Sequence, residues 1–270
     1  MKKAFILFST LVLLAALLEV GLGCRDNIVF DDVYITNTDY VASETFTSNI
    51  DTSTKSRLRV EGFNGSIIIT GRSNSRSVMV CGEKKVGSVN IEDAKLHLAD
   101  LKVLISDLND EILIKTSQPQ ISQGRSYIVN YVILVPDYFE ISVNNTNGNI
   151  HLDSVNNSVN INDVNGSIIL NNMFGNTNIS LVNGKIKCKQ ILPLDGSINL
   201  NIVNGSIELF IPQNTSSEFI AGVVNGDINL SNLVIRYKVN LTNLMKGTIG
   251  EGKGMINLET NLGSIYVVGY

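Results

Sequence analysis

The chain has no tryptophan, and charged residues fill only 17% of its 270 positions. Its 21 basic and 25 acidic side chains form no concentrated basic face, which excludes nucleic acid as a partner. Cysteine is also sparse. Beyond Cys24, only Cys81 and Cys188 remain, and two distant thiols do not make a disulfide framework. Long apolar runs are missing except at the start, where residues 4–18 are interrupted only by Ser9 and Thr10. That run is within the ~7–15 residues of a signal-peptide core and short of the ~20 that span a bilayer. Lys2 and Lys3 precede it, Glu19 stops it, and Gly21-Leu22-Gly23-Cys24 follows. Small residues before a single Cys resemble a bacterial lipobox, although Gly21 stands where that motif usually has Leu. The expectation is a leader over 1–23 and a lipid on Cys24 that anchors the chain to a membrane. Removing the leader leaves 19 basic and 24 acidic residues.

Asparagine and glycine are abundant, as in strands joined by tight turns. From residue 147 the sequence divides into nine-residue units: NGNIHLDSV, NNSVNINDV, NGSIILNNM, FGNTNISLV and NGKIKCKQI. After Leu192-Pro193-Leu194 the register resumes as DGSINLNIV and NGSIELFIP, and it returns later as NGDINLSNL, KGMINLETN and LGSIYVVGY. In each unit Asn-Gly supplies the positive-φ turn, and positions 3–7 alternate polar and apolar with the period of a half-buried strand. Positions 4, 6 and usually 9 are expected to point inward, as in Val159/Ile161/Val164 and Ile198/Leu200/Val203. The Asn-Gly pairs at 147, 165, 183, 204 and 225 are 18, 18, 21 and 21 residues apart. An in-phase tandem of this kind predicts an all-β fold, a parallel β-solenoid with two units, about 18 residues, per coil. Cys188 falls on an inward position as a small buried hydrophobe.

Upstream the pattern changes. Residues 24–50 are polar and read as a tether, and 51–136 as a β-rich N-terminal cap, with the solenoid over 137–270. Within the cap, strands are expected around Asn64-Gly65 and at 78–81, 102–106, 111–116 and 127–135, with one helix at 92–101. RLRVEGFNGSIIITG, YIVNYVILVP, the NGSI and NGDI strands and the final LGSIYV closely resemble the bacterial adhesin-like family DUF4097, over about residues 45–270. The resemblance implies a β-solenoid-like surface or envelope protein. It transfers no catalytic or ligand residue.

Motifs for chemistry fail on inspection. Gly247 to Gly254 approaches a phosphate loop, but Gly254 replaces the hydroxyl for magnesium, and a strand pattern follows where a helix is needed. The turns lack the second Gly and the Asp of calcium-binding nonapeptides. His97 and His151 have no metal-ligand spacing, and His151 is expected as a solvated surface residue. Asp137 and Glu140 read as turn chemistry after Pro136. No cofactor, metal or catalytic set is expected, and the chain reads as a non-enzymatic protein of the cell envelope, on the outer surface or in the periplasm.

Outward residues of alternate units should form two ladders. One is uncharged, with Asn160, Asn178 and Asn199 at its centre. The other is varied and includes Lys185, Lys187 and Lys189. Either could contact a surface protein or envelope polymer, or the ladders could simply stabilise the stack, as amide ladders do in other parallel arrays. The anchor is tested directly: a fatty-acid probe should label the wild-type chain in cells and not Cys24→Ala, and equal labelling would remove it.

Overall fold

The computed structural model describes residues 40–270. The leader and Cys24 lie outside them. Each coil consists of two strand runs, joined in most coils at an Asn-Gly corner, at Leu262-Gly263 in the last and by residues 118–125 in one other, so the stack has two sheet faces. The described strands are β1 (Tyr40–Asp51), β2 (Arg57–Glu61), β3 (Ile67–Arg72), β4 (Ser77–Ser88), β5 (Lys102–Leu108), β6 (Glu111–Ser117), β7 (Ser126–Pro136), β8 (Glu140–Asn144) and β9 (Ile150–Asp153). The long bent strands β10 (Val159–Phe174), β11 (Thr177–Ile191) and β12 (Ser197–Ile211) run through both faces. After them come β13 (Ser217–Asn225), β14 (Ile228–Ser231), β15 (Ile235–Asn240), β16 (Leu244–Ile249), β17 (Gly254–Leu262) and β18 (Ile265–Gly269).

On the first face the parallel order is β6, β2, β8, then the first halves of β10, β11 and β12, then β17 and β13. On the second it is β7, β3, β9, the second halves of β10 to β12, then β18 and β14. Spatial order therefore departs from chain order at both ends. The coil β2/β3 is held between β6/β7 and β8/β9. The last coil in sequence, β17/β18, is inserted between β12 and β13/β14. Ser197 of β12 and Glu218 of β13 both pair with Met255, so the insertion keeps the 21-residue register. Antiparallel strands cover the ends: β5 on β6, β4 and β1 on β7, and β16 and β15 on β13.

Two expectations about the N-terminal part change. The tether expected over 24–50 gives way to β1 from Tyr40, paired along its length with β4. The 51–136 region is only partly a cap, because β2/β3 and β6/β7 are coils of the stack. The covering elements are β1, β4, β5 and the helix α1 (Ile91–His97), which continues as one 3-10 turn at Leu98–Asp100. Asn90 caps α1 by accepting from the Asp93 amide at 2.7 Å, and Ala94 and Leu101 are fully buried beneath it. Arg125 grips Asp93 with two hydrogen bonds of 2.7 Å, holding that carboxyl well below the usual range.

The core is a set of columns, one residue per coil. Ile150, Ile168, Ile186, Ile207 and Ile265 form one, each with no exposed surface. No coil could bury these side chains alone, and each contributes on the order of 1.5–3 kcal/mol once its neighbours cover it. Positions 4 and 6 point inward as expected. Position 9 divides. Val155 and Met173 are buried, but Val164, Val182 and Val203 are 38%, 38% and 40% exposed. In those units position 8 is the inward one: Asp163, Leu181 and Ile202. The cause is parity. Alternation from Val159 reaches inward again at 163, and the chain then turns at Asn165-Gly166. Ser154 and Asn172 instead adopt left-handed conformations (φ 59° and 52°), which add a step and swing Val155 and Met173 inside.

The corner itself rests on asparagine and glycine. Asn147, Asn165, Asn183 and Asn204 each donate Nδ2 to the Oδ1 of the preceding ladder member at 2.8 Å, starting from Asn64. Gly184 has φ 142°, and a Cβ there would lie 1.7 Å from the Gly166 carbonyl oxygen. A side chain at that point is therefore excluded twice, by conformation and by the next coil. The register has a direct test. Ile161→Asp should place a charge in the core and cost about 3 kcal/mol or more, whereas Val164→Asp, at the exposed position, should cost under about 1 kcal/mol. Equal shifts of the melting midpoint would contradict this alternation.

Candidate functional surfaces

The uncharged face is built by the first halves of β10, β11 and β12, and charged residues return on the coils to either side, as at Glu61 and Glu259. Asn160, Asn178 and Asn199 occupy one row, continued by Asn257 of β17. Asn178 Nδ2 donates to Asn160 Oδ1 at 3.0 Å, and Asn162 Nδ2 donates to Asn144 Oδ1 at 3.0 Å. Part of this array's hydrogen-bonding capacity is thus used within the stack, and the remainder faces outward.

On the second face Lys185, Lys187 and Lys189 project outward from one strand, as their alternation with buried Ile186 and Cys188 requires. Each has a partner on a neighbouring coil or at the chain end. Lys185 Nζ is 2.6 Å from Glu208 Oε1, Lys187 lies 5.5 Å over the Phe210 ring, and Lys189 lies 4.8 Å over the Tyr270 ring. These lysines are a braced patch, not three loose charges. Cys188 is fully buried, and burial pushes its thiol up to about 12, so it remains an unreactive thiol.

The other residues considered from sequence are dispersed. His151 is a correction: it is half-buried, contacts Asn171 Nδ2 at 3.3 Å, and burial lowers its pKa, so it is not a solvated histidine. His97 lies on α1, 2.7 Å from Asp100 and 3.6 Å from Asp93. Asp137 accepts from Ser73 Oγ at 3.0 Å and Asn156 Nδ2 at 2.9 Å, which is turn chemistry. After Gly247, β16 ends at Ile249 and β17 begins at Gly254, so a strand follows the glycine-rich loop. Among the described residues, no group of three or more His, Cys, Asp or Glu could hold a metal ion. No helix among them is long and apolar enough to cross a membrane.

One residue was missed from sequence. Asp163 is 4% exposed, in the column with Leu181 and Ile202. Its Oδ1 accepts from the Val164 amide at 2.9 Å, while Oδ2 has no partner. Desolvation raises its carboxyl from 3.8 to about 6. The signal that could have found it is the period-two count from Val159 and Ile161.

The described chain is thus a two-faced parallel β-solenoid whose outward side chains form ordered rows. It belongs to the family described as Toastrack DUF4097, which matches residues 32–268. No curated protein matches it. Among solved structures it is similar to a candidate cell adhesion protein from Clostridium sporogenes, at 12% identity and a TM-score of 0.47, over 85% of this chain and 100% of that one. It is also similar to a candidate adhesin from Bacteroides fragilis, at 11% identity and a TM-score of 0.37, over 83% and 97%. A third is a candidate lipid binding protein from Parabacteroides distasonis, at 12% identity and a TM-score of 0.31, over 83% and 96%. Likenesses this distant carry no function across.

Asp163 yields a pH prediction. Its folded pKa lies above its unfolded one, so keeping its charge buried adds no cost below about pH 4, where the carboxyl is protonated. The cost grows as pH rises toward 6 and then levels, at on the order of 2–3 kcal/mol. Asp163→Asn should therefore raise the melting midpoint at pH 7.5 and leave it nearly unchanged at pH 3.5. Equal effects at both values would show that the carboxyl is not the cause.

Proposed function

We propose that this chain is a non-enzymatic cell-envelope protein that acts by surface contact, exported by its leader and held to a membrane by a lipid on Cys24. The observation that carries this reading is the pair of long outward faces, to which every coil adds one layer, with no cluster of three or more His, Cys, Asp or Glu able to hold a metal among the described residues. Such a surface offers many weak, regularly spaced contacts, which suits a polymer or a partner with its own repeat. The lysine patch would suit an anionic envelope polymer or an acidic partner surface, and the Asn160/Asn178/Asn199 row an uncharged one.

A second reading, a structural or assembly component without a dedicated ligand, is favoured by the internal engagement of the same side chains. Lys185 is paired with Glu208, and the asparagines bond to one another, so both rows strengthen the stack.

Capture from envelope extract separates the possibilities. Replacing Lys185, Lys187 and Lys189 with Gln should spare the fold and weaken capture in a salt-dependent manner if the lysine face is used. Reversal to Glu is unsuitable, because position 185 would then oppose Glu208. Alanine at Asn160, Asn178 and Asn199 should weaken capture, with little salt dependence, if the amide face is used. Unchanged capture by both variants removes the flat faces as contact surfaces, and turnover of any envelope polymer would overturn the non-enzymatic reading.

A further inference from the structure

Beside the Asn-Gly corner, where the first face ends, a groove of about 430 Å³ crosses the coils of β10, β11, β12 and β17. One wall is the outward row Asn162, Ser180, Asn201 and Glu259, and the other side is formed by Val182 and Val203. These valines belong to an exposed apolar row that begins at Val164, and Val224, 67% exposed, lies beyond Asn261. Exposed branched side chains in register on successive coils are not required by the core, since the inward column is already filled by Leu181 and Ile202. The groove is lined by neither of the residue trios on the two flat faces.

Its chemistry restricts the occupant. The backbone groups beneath it are used in the parallel ladders, so an extended peptide cannot add as a further strand. Recognition must come from side chains. No Lys or Arg lines the groove, and Glu259 contributes a carboxylate, so a polyanion is disfavoured. Asn201 Oδ1 is buried without a hydrogen-bond partner, so the amide gains by turning this oxygen into the groove, where a ligand hydroxyl can donate to it. Asn162 spends its Nδ2 on Asn144, leaving its own oxygen available. The combination is an apolar strip beside a row rich in acceptors, repeating every ~4.8 Å along the stack.

The geometry points to this corner groove as the binding site for a neutral, hydroxyl-rich linear glycan lying along the stack axis. The carbon–hydrogen faces of the sugars rest on Val182 and Val203, and their hydroxyls donate to Asn162, Asn201 and Glu259. A polymer meets a polar residue and a valine at the coils of β11 and β12, and polar residues alone at β17, where Asn261 stands at the valine position, so weak contacts add along its length. The inference rests on the surface-contact reading but on neither flat face.

Native gels cast with hydroxyethylcellulose, with mannan or with polygalacturonate test it. At least one neutral polymer should retard the wild-type chain, and polygalacturonate should not. Val182→Ser combined with Val203→Ser removes the apolar strip without changing charge, and these exposed positions should tolerate it. This variant, with an unchanged circular dichroism spectrum, should bind roughly tenfold more weakly. Asn201→Ala should weaken binding independently, while alanine at Asn160, Asn178 and Asn199 should leave it intact. The groove is overturned if neither neutral polymer retards the wild type, if the double valine variant binds as the wild type does, or if polygalacturonate retards equally. Retardation lost only in the Asn160/Asn178/Asn199 variant would also overturn the groove, yet support surface contact through the amide face.

Discussion

Parallel in-register pairing of one coil on the next is the constraint from which the rest of this molecule follows. A single coil presents a few Ile, Leu and Val side chains to an interior that it cannot close. Only a neighbour in the same register covers them, and a slip of one residue would turn every apolar side chain outward. Asparagine and glycine at the corner enforce that register from two directions. The amide ladder rewards exact alignment of Asn64, Asn147, Asn165, Asn183 and Asn204, while the glycines beside them remove the side chain that would hold the coils apart.

A stack built this way has two open ends, and the chain deals with both by the same device. The first complete coil, β2/β3, and the last, β17/β18, are each enclosed between coils contributed by interior sequence. Neither is left as a terminal layer with an unpaired edge that could fray or template aggregation. The outermost positions go instead to segments with antiparallel partners, β4 with β1 and β5 at one end and, on the first face of the other, β16 with β15, while on its second face β14 pairs with β18 alone. Leu262 interrupts the asparagine ladder where the last coil enters, so the inserted coil is held by its core columns and backbone ladders and lacks the amide chain.

The same regularity shapes the outer surface. Because outward positions repeat at the coil spacing, a chemical preference kept from coil to coil becomes a row, amides on one face and valines beside the corner, whereas the braced lysine patch runs along the single strand β11. Rows of this kind serve contact with extended partners better than they serve catalysis, which needs unlike groups converging on one point. Asp163 is a buried carboxyl in a column that runs through Asp163, Leu181, Ile202 and Thr260, tolerated because one oxygen is satisfied by the Val164 amide.

The all-β class, the nine-residue unit, the 18-residue coil and the inward set at positions 4 and 6 were legible in the sequence, because they depend on local alternation and on turn residues whose conformations are intrinsic. The outward direction of Lys185, Lys187 and Lys189 followed from parity, although their engagement with Glu208, Phe210 and Tyr270 did not. Only the tertiary structure decided which coil lies beside which. Strands such as β12, β13 and β17 share one register and one pattern, so their sequences do not distinguish sequential stacking from insertion. It also decided the fate of position 9, where one left-handed residue at Ser154 or Asn172 reverses the parity that alternation alone would assign. That reversal buries Val155 and Met173, whereas Val164, Val182 and Val203 follow unbroken alternation and stay exposed, and local sequence does not show which turn carries the left-handed residue.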